Sequence, residues 1–189
     1  VSQPSSRPTF WATLWNALRL NARFYETADT TAKNRRIARA IVLLAGLSHM
    51  LGSAVILLFN RATLPLLLVA LLLDGLSIVV GYYFWTFLVL KVGQWLKPID
   101  PTYQDLLSPI GFAYAPQVLN FLTLIPLLGR PIELILSVWS LLAVIVAVRE
   151  GLDIRTRRAT LICLLGWIPI QIAIGLVQVL EQQLVNQTA

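Results

Sequence analysis

A single cysteine, Cys163, leaves the chain no partner for an intrachain disulfide, and the redox compartment cannot be read from it. Histidine and methionine also occur once each, and only 13% of the 189 residues are charged. A soluble domain carries about a quarter. One histidine and one cysteine are too few for a Cys/His metal centre. HExxH, P-loop and GxSxG motifs are all missing. Neither Ser108 nor Cys163 has a base nearby in sequence. These absences exclude the common catalytic classes and imply no cofactor. No apolar run of signal-peptide type precedes Ile37. Val1 stands where an initiator methionine is expected, so the natural chain is expected to begin upstream.

Apolar residues are abundant instead. They make up 57% of the chain, and the mean hydropathy is +0.74. They occur in long runs, the mark of an integral membrane protein. Five helices are expected: Ile37 to Phe59, Leu64 to Leu90, Ile110 to Ile125, Pro131 to Val148 and Ala159 to Leu180. Most reach the roughly 20 residues that cross hydrocarbon. The third is short, about 24 Å at 1.5 Å per residue. The expected fold class is thus all-α and polytopic, with a cytoplasmic region 1–36, a bundle 37–180 and a short tail 181–189 on the far side.

The basic residues orient these spans. Arg7, Arg19, Arg23, Lys33, Arg35, Arg36 and Arg39 lie at or before the start of span one. Lys91 and Lys97 follow span two, and Arg149, Arg155, Arg157 and Arg158 follow span four. Only Arg61 and Arg130 fall on the other side, so 13 of the 15 basic residues share one side. That side is read as cytoplasmic and holds the N-terminus. The net charge of +6 follows membrane topology in this way, which argues against a nucleic-acid partner.

Before span one, TFWATLWNALRLNARFYE places Trp11, Leu14, Trp15, Leu18, Ala22 and Tyr25 on one helical face, flanked by Arg19 and Arg23. This suits an amphipathic helix over about residues 9–25 lying in the membrane interface. A helix packed on the bundle's own cytoplasmic loops is the alternative. Leu20 and Phe24 interrupt the pattern.

Ser108 to Glu133 is apolar yet carries four prolines. Pro109 and Pro131 suit first helical positions, where no donor is needed. Glu133 then complements a helix dipole. Pro116 is expected to kink span three, freeing the Phe112 carbonyl, and Pro126 to end it. Pro169 is likewise expected to free the Leu165 carbonyl in span five. A bare carbonyl in lipid costs several kcal/mol, so span three is expected to be an inner element.

GFAYAP, Gly111 to Pro116 and including Phe112, resembles the Gly-aromatic-x-x-x-Pro motif in the third span of the Ypt-interacting protein (Yip) family. DLLSP precedes it, and a hairpin and a Trp-containing span follow. The resemblance covers about Phe24 to Leu180. It implies five spans, a cytoplasmic N-terminus and a short luminal tail. It also implies a shared hairpin with no chemistry attached. Eukaryotic members act in vesicle trafficking, bind prenylated small GTPases and self-associate. Their acidic Asp-Leu-Tyr-Gly-Pro stretch is replaced here by RFYETADTTAKNRR, which leaves GTPase binding without its motif. The chain looks more like a bacterial member.

Asp74 interrupts LLVALLLDGLSIVVG about 15 Å past Leu64. An acid at that depth suggests function by default. His49 falls at a similar depth on the preceding span, and Asn120, Ser140 and Gln171 also project near mid-depth. A polar layer centred on Asp74, with His49 its partner, is expected. Three readings stay open: interhelical glue, a proton- or ion-coupled path, and a pigment or lipid ligand site. The loop REGLDIRTRR, with Arg149, Arg155, Arg157 and Arg158, anchors topology or docks anionic lipid or an acidic partner. The chain is expected to be a non-catalytic scaffold or auxiliary subunit, bound to lipid and to another integral membrane protein.

Overall fold

The computed structural model describes residues 9–28, 31–59, 63–96, 102–125 and 128–166. All secondary structure among these residues is helical. In order come α1 (Phe10–Leu18), α2 (Ala22–Glu26), α3 (Ala32–Phe59), α4 (Leu64–Leu96) and α5 (Tyr103–Phe112). A 3-10 helix (Ala115–Leu124) and α6 (Gly129–Gly151) follow, and residues 156–166 are helical as well. Among the described residues, three stretches are long and apolar enough to cross a membrane: Ala32–Val55, Leu64–Trp95 and Pro131–Gly151.

Local chemistry sets where the helices start. Thr31 Oγ1 accepts from Asn34 N–H at 3.3 Å, the bond an N-cap threonine makes. α4 carries Pro65 at its second position, where a missing donor costs nothing. Asp105 accepts from Thr102 N–H at 2.9 Å and starts α5.

Contacts between elements give their directions. Gly46 approaches Gly75 and Ile78, and Met50 lies on Gly75, so α3 and α4 are antiparallel. Along α3, Ala38 meets Gly111 and Gly52 meets Thr123. Between them, Ser48 Oγ accepts from Phe121 N–H at 2.8 Å. The strip of α5 plus 3-10 helix therefore runs parallel to α3 for about 21 Å. α6 returns along that strip: Gly151 lies beside Leu106 and Pro109, Ser140 beside Gln117, and Gly129 beside Thr123. Gly166 meets Trp85 and Leu88, and Leu152 meets Gly93, so residues 152–166 run antiparallel to α4.

The core lies on this strip. Leu106, Ile110, Phe112, Ala113 and Ala115 are buried, with α3 against one side and α6 against the other. A Cβ on Gly111 would sit 2.8 Å from Ala38 Cβ, so only glycine permits this approach of α5 to α3. α4 is different. Leu66, Leu72, Leu73, Leu76, Val80 and Phe84 are all exposed.

Several expectations need correction. α5 begins at Tyr103, so Pro109 lies inside a helix and not at its first position. Asp105 and the run 106–108, ahead of the expected start of span three at Ile110, are already helical. Pro116 does not kink a continuous helix. α5 has ended at Phe112, and Pro116 stands in the first turn of a separate 3-10 helix, where no donor is missed. α6 starts at Gly129, which puts Pro131 still within the first turn but Glu133 just beyond it. Pro126 and Pro169 lie outside the described residues.

The stretch expected as one amphipathic helix is two. Leu20 N–H bonds Ala17 O at 3.1 Å, and Asn21 N–H bonds Asn16 O at 3.3 Å. Leu20 is in the left-handed region, φ 54. This is a Schellman ending with leucine where glycine is usual. The expected face also divides: Trp11 and Trp15 are 72% and 55% exposed, while Leu14 and Tyr25 are 7% and 1%. Leu18 is half-buried, and Arg19 and Arg23 are exposed, with the Arg19 guanidinium 4.6 Å over the Trp15 ring. The buried side packs on the bundle: Phe24 meets Phe112 at 5.1 Å, and α2 contacts α6.

Candidate functional site

The α3–α4 seam brings together two of the five mid-depth residues. Gly46 and Gly75 let the two backbones approach, and one and two turns past Gly46 the side chains of His49 and Ser53 face α4. His49 Nδ1 lies 3.0 Å from Asp74 Oδ2. Ser53 Oγ donates to the same oxygen at 2.6 Å. Asp74 Oδ2 thus has two partners: it accepts from the Ser53 hydroxyl and lies against His49 Nδ1, whose role depends on the imidazole tautomer. The side chains are 35% and 23% exposed, so the pair lies at the edge of the seam and not deep in the core. Ser77 Oγ closes back on Asp74 O at 2.6 Å.

The other residues stand apart from Asp74. Asn120 is buried on the 3-10 helix beside Gly52 of α3, and its carbonyl accepts from Thr123 Oγ1 at 2.7 Å. Ser140, on α6, accepts from Gln117 Nε2 at 2.9 Å. That pair lines a half-open cavity of about 260 Å³ between α4, the 3-10 helix and α6, walled by Trp85, Tyr114 and Val144. Gln171 lies outside the described residues. Among the described residues, the members of the expected layer thus fall in different places: Asp74 with His49 and Ser53, Ser140 with Gln117, and Asn120 beside Gly52.

Ser53 and Gln117 were not singled out in the sequence. Ser53 could have been: it is one turn past His49, so it shares that face. Gln117 directly follows Pro116 in an apolar run and carries no periodic signal of its own.

Of the family-type motif, Gly111 supplies the approach to Ala38 and Phe112 the contact with Phe24. Pro116 supplies the start of the 3-10 helix. The basic loop is not one cluster. Arg149 ends α6 with its guanidinium on Glu150, Nε to Oε1 at 2.7 Å. Arg155, Arg157 and Arg158 are exposed at the start of the 156–166 segment. Cys163 is buried in apolar packing. Among the described residues no three His, Cys, Asp or Glu side chains converge. No protein-family model, no curated protein and no solved structure matches the chain.

Proposed function

We propose that the chain is a five-span integral membrane scaffold or auxiliary subunit of the Yip type, non-catalytic, with its N-terminus in the cytoplasm. The alternating directions support the span count. α3 and α4 are antiparallel, the α5–3-10 strip runs with α3, α6 returns, and 152–166 starts back along α4. The strip is too short in regular helix to count as a span by length. Its register along about 21 Å of α3 supports counting it, set against a hydrocarbon core of roughly 30 Å.

The scaffold reading rests on one observation: among the described residues, His49 and Ser53 close on Asp74, and Gln117 closes on Ser140, in separate sets. Such bonds hold helices together at about 0.6 to 2 kcal/mol each. The exposed apolar face of α4 is the surface this reading offers to lipid or to another membrane protein.

The His49–Asp74 contact favours a second reading, a proton-coupled transporter. Reconstitution into vesicles holding a pH-sensitive dye separates the two. The scaffold reading expects no proton flux above empty vesicles, and Asp74→Asn to change stability alone. Flux that Asp74→Asn abolishes would overturn it.

A further inference from the structure

The N-terminal end of α3 carries a feature that the scaffold reading does not use. Arg35 and Arg39 lie one helical turn apart and face the seam where α4 meets α5. With Tyr82, Tyr83, Tyr103 and Gln104 they line a half-open cavity of about 260 Å³. Its walls are fixed by hydrogen bonds. Tyr82 Oη donates to Leu107 O at 2.7 Å, and Tyr103 Oη donates to Tyr83 O at 3.0 Å. Arg35 Nη1 donates to Gln104 Oε1 at 2.7 Å, which sets the plane of that guanidinium. Arg39 Nε donates to Arg35 O at 3.3 Å.

Each guanidinium has five N–H donors, so most remain for a ligand. Among the described residues no carboxylate pairs with either group. The nearest acid in sequence to the α5 wall, Asp105, is bonded to Thr102 N–H. Two adjacent guanidiniums in a concave wall suit a phosphate, whose oxygens match their fork geometry.

Depth and surroundings identify the source of the phosphate. Arg39 lies about 20 residues before the end of α3, a distance near 30 Å, the thickness of the hydrocarbon core. The cavity therefore sits at headgroup level. On the same face of α3, one and two turns deeper, Leu43 and Leu47 are exposed. They continue the Arg35–Arg39 row into the apolar zone, where acyl chains would lie. Two cations also disfavour a choline head and favour a net negative one.

We propose that the Arg35–Arg39 cavity binds the phosphate of an anionic glycerophospholipid, with its acyl chains on Leu43 and Leu47. The proposal rests on the membrane-embedded reading above.

The full chain, reconstituted in equimolar phosphatidylcholine and phosphatidylglycerol and then released in mild detergent, is examined by native mass spectrometry for retained lipid. One phosphatidylglycerol is expected to stay, in preference to phosphatidylcholine. Arg39 is exposed, so Arg39→Gln leaves the packing alone and is expected to lower retention about tenfold, the loss of a charge-assisted pair. Arg39→Lys is expected to fall between, because it keeps the charge without the fork. Arg157→Gln is expected to change nothing. Equal retention of the two lipids, or an equal loss in Arg157→Gln, overturns the proposal. So does calorimetric binding of inorganic phosphate by a chain that retains no lipid. Release of the chain from the vesicles by an alkaline wash is a separate result, and it would overturn the membrane reading itself.

Discussion

Trp139 Nε1 donates to the carbonyl oxygen of Leu18 at 3.0 Å, across 121 positions of chain. Leu18 is the last residue of α1, and the final carbonyls of a helix have no partner within it. Trp139, on α6, supplies the donor. The bond ties the N-terminal helix pair to the flank of the bundle.

Trp139→Phe keeps an aromatic ring, smaller than the indole, and removes that donor. The expected cost is about 1 kcal/mol, because the Leu18 carbonyl is left without its partner. Amide exchange in α1 should quicken while exchange in α3 stays unchanged. Uniform quickening across both helices would argue against a local tether.

At Gly111 the direction is steric. Gly111→Ala puts a methyl 2.8 Å from Ala38 Cβ and should destabilise by about 1 to 3 kcal/mol. Ala38→Gly in the same chain should recover part of that loss. A double-mutant cycle on thermal unfolding in detergent reads the coupling. An additive result would mean that α5 and α3 do not meet there.

Pro116 gives the opposite expectation. It stands in the first turn of the 3-10 helix, so Pro116→Ala neither straightens a kink nor restores a missing bond. The change in stability should stay below about 1 kcal/mol. A large gain would mean that α5 and the 3-10 helix join when proline is removed.

Ser53 is the smaller partner of Asp74. Ser53→Ala removes its 2.6 Å bond and should cost about 0.6 kcal/mol, the usual worth of such a bond between membrane helices. Asp74→Leu with His49→Leu should be milder than the sum of the two single changes, because each single change leaves a polar group unpaired. Unfolding of the four variants in the same detergent decides it.

Tyr25 is buried at the α1–α2 junction, and its hydroxyl lies 3.3 Å from Ala17 O. Burial pushes its phenol above the usual tyrosine range, so the fold favours the neutral form. The stability it contributes is complete below about pH 10, the unfolded value, and falls as pH rises toward the higher folded value. Tyrosinate absorbance and α1 proteolysis should therefore rise together in alkali. In Tyr25→Phe the pH dependence of that proteolysis should flatten.

Composition and hydropathy were enough to establish a helical chain with membrane-length apolar stretches. Burial in lipid is a property of runs of residues, and a run can be counted. The near level of His49 and Asp74 could also be reckoned, because rise per residue is constant along a helix and the two lie about equally far from a shared turn. Leu20 and Phe24 were visible as a break in periodicity, yet only the fold showed that Leu20 takes a left-handed conformation there. The extent of α5 was hidden. Pro109 reads as a helix start when judged alone, but packing of Leu106, Ile110 and Phe112 between α3 and α6 holds a helix through it. The grouping of Asn120, Gln117 and Ser140 away from Asp74 was decided by rotation of each helix about its axis. Rotation depends on contacts between distant segments, such as Ala38 on Gly111, and those are set by tertiary packing. The Arg35–Arg39 cavity has the same origin: its two arginines are one turn apart in sequence, but the tyrosines and glutamine that wall it come from α4 and α5.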